Sequence, residues 1–307
     1  MTPRSASGYG VAIVASLASL AATSCGASGA TANANYDYVP AAYDTVTRSL
    51  SLFPATGTQE VQVQLPAALG GYRLTSNGTL IYTTSFRLDL RSMKIEEVPG
   101  LSSYRAFASM SVSTGQQNLI VAGKRLDGGG LACGIFLQNL QDGGVRQVVG
   151  TNNCDDVMSF SDISLSPDGK FAVAIHGHSL EVIDLVRGTV NKLGSGYDKA
   201  GWSPDGRWIA AAKASLLRAR MVLFDGRSFA EQKTLASSVV LGILWSPDSR
   251  FLLGRRSTSD CGEDQYTYES FDVETAQASL IESSRCKVDW RDNDVGWVEK
   301  TIGRPRE

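Results

Sequence analysis

The chain has 307 residues, with 29 Lys+Arg against 31 Asp+Glu, 43% hydrophobic residues, five Cys and two His. A formal net charge of -2 without a long basic run excludes a protein whose affinity rests on neutralising phosphates, so nucleic acid is not an expected partner. Two His leave almost no room for a multi-histidine metal centre, and the length permits one large domain or two small ones.

Behind Arg4, residues 11–22 (VAIVASLASLAA) form a small, apolar run. A helix needs roughly 20 apolar residues to span a bilayer, so this run reads as the core of a signal peptide over residues 1–24 and implies secretion. The following Ala22-Thr23-Ser24-Cys25-Gly26 resembles the lipobox of bacterial lipoproteins, in which the Cys is diacylated and becomes the mature N-terminus. That resemblance implies lipidation at Cys25 and a membrane anchor. It departs from the family at Ala22, where Leu is usual. Cleavage after Ala30-Thr31-Ala32, discarding Cys25, is the alternative. Residues 25–45 read as lipidation site and flexible tether from the composition of GASGATANAN. The expected location is the bacterial cell envelope, on the periplasmic or cell-surface side.

Next in chain order comes a hairpin of two short strands, residues 49–53 and 60–65, and then a repeat. Its copies are TSNGTLIYTT from Thr75, VSTGQQNLIVAG from Val112, LSPDGKFAVAI from Leu165, WSPDGRWIAAA from Trp202, WSPDSRFLLGR from Trp245 and WRDNDVGWVEK from Trp290. These starts are 37, 53, 37, 43 and 45 residues apart, so six units fill the chain. In each unit an apolar strand runs into a Ser-Pro-Asp-Gly type turn, where Pro presets one backbone angle and Asp-Gly tolerates the positive φ of a tight turn. A second apolar strand follows. A third ends in Asp89, Asn139, Asp184, Asp225 or Asp272, and a turn and a fourth strand complete the unit.

Four antiparallel strands repeated every 40–45 residues or so define an all-β, six-bladed β-propeller of four-stranded antiparallel blades, expected over residues 46–300 with a tail at 301–307. The last unit, residues 287–300, supplies only its first two strands. The N-terminal hairpin is expected to complete that blade and close the ring.

The WSPDG-type segments are similar to the TolB-type propeller repeat, a relative of WD-type repeats, with its Trp-Ser-Pro-Asp-Gly turn, apolar strand and later acidic strand end. The likeness covers about residues 72–300 and is strongest over 163–271. It implies the fold. Such propellers occur in partners of envelope complexes, in prolyl-oligopeptidase-like enzymes and in solitary binding proteins, so it implies function only that coarsely. TolB-type periplasmic proteins carry an α/β domain before the propeller. Here only about 45 residues precede the first expected strand, so a Tol-Pal role is not carried over.

The search for chemistry yields little. Gly177-His178-Ser179-Leu180-Glu181 lacks the second Gly of a nucleophile elbow, and no catalytic residue is assigned. His176 and His178 share one face if their strand continues that far, but two ligands do not complete a metal site, so no metal or cofactor is expected. Asp168, Asp205 and Asp248 are explained by the turn. Trp202, Trp208, Trp245, Trp290 and Trp297 are expected in the blade cores.

With Cys25 set aside, four Cys in an oxidising compartment make two disulfides, with three possible connectivities. Cys133 and Cys261 fall near the connection between strands two and three of the second and fifth blades. Cys154 and Cys286 fall in connections leading to the next blade. Both kinds of connection emerge opposite the Pro-Asp-Gly turns, so Cys133–Cys154 and Cys261–Cys286 is the expected pairing, each worth about 3 kcal/mol. Loops at 124–132 and 255–265 are expected to decorate that face. The candidate binding residues are Lys124, Arg125, Asp127, Asp155, Asp156, Arg255, Arg256, Asp260, Glu263 and Asp264. The expected function is a non-enzymatic, monomeric, membrane-tethered scaffold for an unidentified envelope protein or ligand. The alternative is a lyase- or hydrolase-like enzyme, or a small-molecule binder, using the central channel.

Overall fold

The structure, a computed structural model, describes residues 38–44, 49–52, 61–65, 73–74, 80–82, 86–113, 115, 117–213, 220–235, 243–257, 265–281, 287–288 and 295–299. All belong to the second of two compact units, Met1–Asn33 and Ala34–Glu307. The signal segment, Cys25, Asp260, Cys261, Glu263, Asp264, Cys286, Trp290 and the tail lie outside the described residues. For Asp127, Arg255, Arg256 and Trp297 only the backbone is described.

The chain runs through β1 (Tyr38–Asp44), β2 (Ser49–Leu52), β3 (Val61–Gln64), β4 (Arg73–Leu74), β5 (Leu80–Tyr82), β6 (Phe86–Asp89) and β7 (Lys94–Glu97). It continues through β8 (Tyr104–Val112), β9 (Asn118–Asp127), β10 (Gly130–Asn139), β11 (Val145–Thr151), the short helix α1 (Cys154–Val157), β12 (Phe160–Leu165), β13 (Phe171–His176), β14 (Ser179–Asp184) and β15 (Thr189–Ser195). The rest is β16 (Tyr197–Trp202), β17 (Trp208–Lys213), β18 (Arg220–Asp225), β19 (Glu231–Leu235), β20 (Leu244–Trp245), β21 (Phe251–Ser257), β22 (Gln265–Asp272), β23 (Ala278–Leu280), β24 (Lys287–Val288) and β25 (Val295–Glu299). These strands form six antiparallel sheets: β4–β7, β8–β11, β12–β15, β16–β19, β20–β23 with β24 added to β22, and β25-β1-β2-β3. Neighbouring sheets meet through their first strands, β8 on β12, β12 on β16, β16 on β20, β20 on β25 and β25 on β4.

The second strands β13 and β17 are almost wholly apolar because both of their faces are covered. Along β13, Ala172 and Ala174 pack with Ile120, Ile135 and Ile183, while Val173 and Ile175 pack with Trp202, Ile209 and Val222. Strand β17 repeats the pattern, with Ile209 and Ala211 on one side and Ala210 and Ala212 on the other. This is the period of two expected of strands between layers. Polar latches cross the same interfaces. Ser111 Oγ accepts from Leu165 N at 3.3 Å, Ser164 Oγ from Trp202 N at 3.0 Å and Asp162 Oδ2 from Ala200 N at 3.1 Å. Backbone donors on the outer edges of first strands are thus satisfied by the preceding sheet.

The repeated turn is a side-chain device. Ser203 Oγ donates to Asp205 Oδ1 at 2.6 Å and accepts from Trp208 N at 2.9 Å, and Asp205 Oδ1 accepts from Arg207 N at 3.0 Å. Ser166 with Asp168, and Ser246 with Asp248, do the same. At the far turn of each unit, Asp89, Asn139, Asp184, Asp225 and Asp272 each offer Oδ1 to the N–H groups two and three residues on. That explains why the third strand of each of these five units ends in Asp or Asn.

Three expectations need correction. The mixed sheet takes one C-terminal strand, not two, and three N-terminal strands, not a hairpin. Strand β24 joins β22 instead. The missing strand is β1, which falls within the segment read as tether to residue 45. Described pairing with β2 begins only at Ala41, so at Pro40, which has no N–H to give, the strand pairs with β25 alone. Second, residues 124–132 are not a loop. They belong to a hairpin pairing Lys124 with Cys133, Leu126 with Leu131 and Asp127 with Gly130, turned by Gly128-Gly129. Third, Arg255 and Arg256 lie in β21, opposite Tyr268 and Thr267, rather than in the loop expected over 255–265.

Candidate functional site

Within each complete sheet the Ser-Pro-Asp turns and the Asx-capped turns lie at one end, here the turn end. The hairpins between second and third strands, and the links to the next sheet, lie at the other. At that second end a disulfide joins Cys133, near the start of β10, to Cys154, the first residue of α1, with Cα atoms 5.2 Å apart. It closes a 21-residue separation. In the chain-entropy account this is worth about 3 kcal/mol. Cys133 is buried, and Gln147 Nε2 donates to its carbonyl at 3.0 Å.

The disulfide fixes α1 against β9 and β10 and so arranges the acids. Asn153 caps the helix, its Oδ1 accepting from Asp155 N at 3.1 Å. Asp155 and Asp156, both candidate binding residues, occupy the turn of α1 and reach in different directions. Asp155 Oδ1 lies 3.6 Å from Lys124 Nζ, and Asp156 Oδ1 lies 3.2 Å from His176 Nε2. Lys124, Asp155 and Asp156 are therefore brought together. Arg125 points to the other face of its hairpin, where Nε donates to Ser103 Oγ at 3.0 Å and the guanidinium sits 6.0 Å from the Tyr104 ring. Burial pushes the Tyr104 hydroxyl up to about 12.

His176 stacks on Phe160, with ring centroids 4.3 Å apart and planes 10° from parallel. Its Nδ1 lies 3.7 Å from Glu181 Oε2, so carboxylates face both ring nitrogens. Burial pushes the Glu181 carboxyl up, while His176 and Lys192 act in the opposite direction without restoring the ordinary value. The strand ends at His176. Gly177 and His178, with φ of 51° and 63°, form a two-residue turn, so the two imidazoles do not share a strand face as a continuing strand would require. His178 Nδ1 instead meets Asp198 Oδ1 at 2.6 Å, and its carbonyl accepts from Gly196 N and Tyr197 N.

Glu181, Asp198 and Phe160 were missed in the sequence because their partners are 5, 20 and 16 positions away on other strands, and nothing in the repeat marks them. Among the described residues, no group of three or more His, Cys, Asp or Glu is placed to hold a metal ion, and no helix is long and apolar enough to cross a membrane.

No family model matches the chain, and no curated protein matches it by sequence. Solved structures do match. TolB from Acinetobacter baumannii superposes with a TM-score of 0.58 at 16% identity, over 85% of this chain and 66% of that one. The chain thus spans just under two thirds of that protein. A TolB-type structure from Agrobacterium tumefaciens gives 0.53 at 17% identity, over 85% and 97%. An oligogalacturonate lyase in complex with manganese gives 0.53 at 12% identity, over 83% and 80%. At these identities the likeness is one of fold, and the fold is a TolB-like β-propeller.

Proposed function

We propose that the chain is a lipoprotein of the bacterial cell envelope, anchored at Cys25, whose propeller closes as six blades and serves as a scaffold for a protein partner or ligand. The ring reading is supported by six sheets meeting through successive first strands and by β25 pairing with β1, which stitches the two ends of the chain into one blade. One observation carries the binding reading. The Cys133–Cys154 disulfide ties a hairpin of one sheet to the segment entering the next, giving a stiff, exposed platform opposite the self-satisfied turns. Interaction residues usually sit on such loops over a rigid scaffold.

Two measurements test this. The mass of the mature N-terminus is expected to be that of a diacylated Cys25, and an unmodified chain beginning near Asn33 would end the anchor reading. Co-purification from envelope extract is expected to recover a partner that charge reversal at Lys124 and Asp155 releases. Recovery that responds only to changes at the turn end, such as Arg187→Glu or Arg227→Glu, would overturn the choice of face.

A further inference from the structure

One cluster at the disulfide end has a geometry that depends on a proton. Both ring nitrogens of His176 face carboxylates, Nε2 toward Asp156 Oδ1 at 3.2 Å and Nδ1 toward Glu181 Oε2 at 3.7 Å. A neutral imidazole has one N–H and one lone pair. If Nε2 donates to Asp156, the Nδ1 lone pair is set against a charged Glu181. The arrangement therefore needs one further proton, carried on Nδ1 as imidazolium or on Glu181 as the neutral acid. It turns repulsive when that proton leaves for water. The side chains of His176 and Glu181 are only 26% and 16% exposed, so solvent screens the repulsion poorly.

The surroundings hold the ring in place and leave the proton to this cluster. Phe160 of β12 stacks on the imidazole and brings no charge. Asp162, also on β12, accepts from Ile163 N and Ala200 N. Strand β16 carries Lys199 and Asp198, and Asp198 is taken by His178 at 2.6 Å. Lys192 stands opposite Glu181 in β15 and offsets part of its charge, while Lys124 lies against Asp155, one residue along α1. Burial, with the Asp156 charge adding to it, nevertheless holds the Glu181 carboxyl above its ordinary value against His176 and Lys192. The start of α1 is pinned by Cys154 and its middle by the buried Val157. Its exit is held differently. There Asp156 meets the ring, and Ser159 O accepts from Gly177 N at 3.4 Å, just beyond His176.

We infer that Asp156, His176 and Glu181 form a proton-operated latch: with one extra proton shared between His176 and Glu181, the exit of α1 from Asp156 to Ser159 is fastened to β13 and β14, and loss of that proton as pH rises loosens it. A closed state that holds its proton more tightly than the open one is favoured below the titration range and disfavoured above it. Imidazoles ordinarily change charge between about pH 5 and 8. Because Met158 lies within this exit and Asp155 precedes it, the step resets one edge of the platform. The latch goes beyond the scaffold reading and is measured without a partner, so either can fail alone.

The test is amide protection by NMR on the full chain, read at Met158 and Ser159, whose N–H groups donate to the Asp155 and Asp156 carbonyls at 3.1 Å. Protection is expected to fall about fivefold between about pH 5.5 and 8. With only two His in the chain, the imidazole signal missing from His176→Phe is that of His176, and its titration should coincide with the fall. Two variants are expected to act in opposite directions. Glu181→Gln supplies a permanent N–H to Nδ1 and should stay protected at both pH values, whereas His176→Phe keeps the stack without the nitrogens and should be loose at both. His178→Gln should retain the wild-type fall. The wild-type titration needs no variant to fold, and constant protection there would overturn the latch. So would a fall that persists in Glu181→Gln or His176→Phe, that vanishes in His178→Gln, or that does not follow the His176 signal.

Discussion

The two ends of the sheets use charge differently. At the turn end, each Asp is occupied by its own chain: Asp168, Asp205 and Asp248 brace the Ser-Pro-Asp turns, and Asp89, Asp184, Asp225 and Asp272 cap the far turns. The cations there turn inward too, Arg187 to Asp184 at 3.1 Å and Arg250 to Asp272 at 3.0 Å. At the disulfide end, Lys124, Asp155, Asp156, His176, His178 and Asp198 pair between elements distant in sequence, and two leucines stand in solvent. Residues that a repeat writes several times serve the fold. Those that occur once, on a stiffened platform, are available for a partner.

The sharpest way to break this contrast is to remove the staple. Cys133→Ser with Cys154→Ser is expected to lower stability by about 3 kcal/mol. Thermal unfolding with and without reductant measures it: the variant should melt below the oxidised wild type, and on reduction, which also opens the expected Cys261–Cys286 pair in both, the two should converge. Coincident melts under oxidising conditions would mean that the disulfide end is held by packing alone.

A single hydroxyl tests the turn end. Ser203 is fully buried, and Ser203→Ala leaves the Trp208 N–H without its hydroxyl acceptor and Asp205 Oδ1 with Arg207 N as its remaining turn donor. A loss of about 1–3 kcal/mol is expected by denaturant titration. Ser159→Ala, at the opposite end and exposed, removes one bond to the Asp156 carbonyl and should shift stability by no more than about 0.5 kcal/mol. Equal losses would erase the distinction between the ends.

Acid should act first at the turn end. Backbone N–H groups of Arg187 and Ser228 hold Asp184 and Asp225 below their ordinary value of 3.8. Burial alone would raise Asp168 and Asp272, but the N–H groups of Lys170 and Thr275, with Arg250 at Asp272, outweigh it and keep both low. A carboxylate whose folded value is depressed adds stability above its unfolded value and loses it as pH falls through the folded one. The melting temperature should therefore drop below about pH 4. Replacing Asp184, Asp225 and Asp272 together by Asn, the residue already present at position 139 with the same two N–H bonds, should flatten that drop by lowering stability at pH 7 toward its acid level, because Asn keeps the N–H bonds but not the charge or the pairs with Arg187 and Arg250. An unchanged acid limb would show that these caps do not set it.

Much of the fold was legible because the repeat carries it. A Ser-Pro-Asp turn followed by an apolar strand needs no distant partner to be recognised, and the cysteines near strand ends pointed to one end of the sheets. What was not legible depends on distant pairing. Tyr38–Asp44 lacks alternation and carries Pro40, and becomes a strand only because β25 arrives from the other end of the chain. Residues 124–132 read as a Gly-rich loop because Asp127 and three glycines sit at the tip, whereas ten-residue partners zip the flanks together. His176 looked like one of a pair with His178, and a left-handed residue at 178 sends the two rings to different carboxylates.

The smallest expected effect concerns the ion pair beside the staple. Lys124 and Asp155 approach to only 3.6 Å, and Asp155 is almost wholly in water. A pair of this kind is worth about 0–1 kcal/mol, so Lys124→Ala alone should change stability by about 0.5 kcal/mol or less. The disulfide makes it smaller still, because Cys154 already fixes the start of α1 one residue away and the ion pair restrains little more. In the Cys133→Ser, Cys154→Ser background the same substitution should therefore cost more, and the difference between the two backgrounds is the coupling of pair and staple. A coupling of zero would mean that α1 is positioned independently of both, through Asn153 and the stack of His176 on Phe160 that receives Asp156.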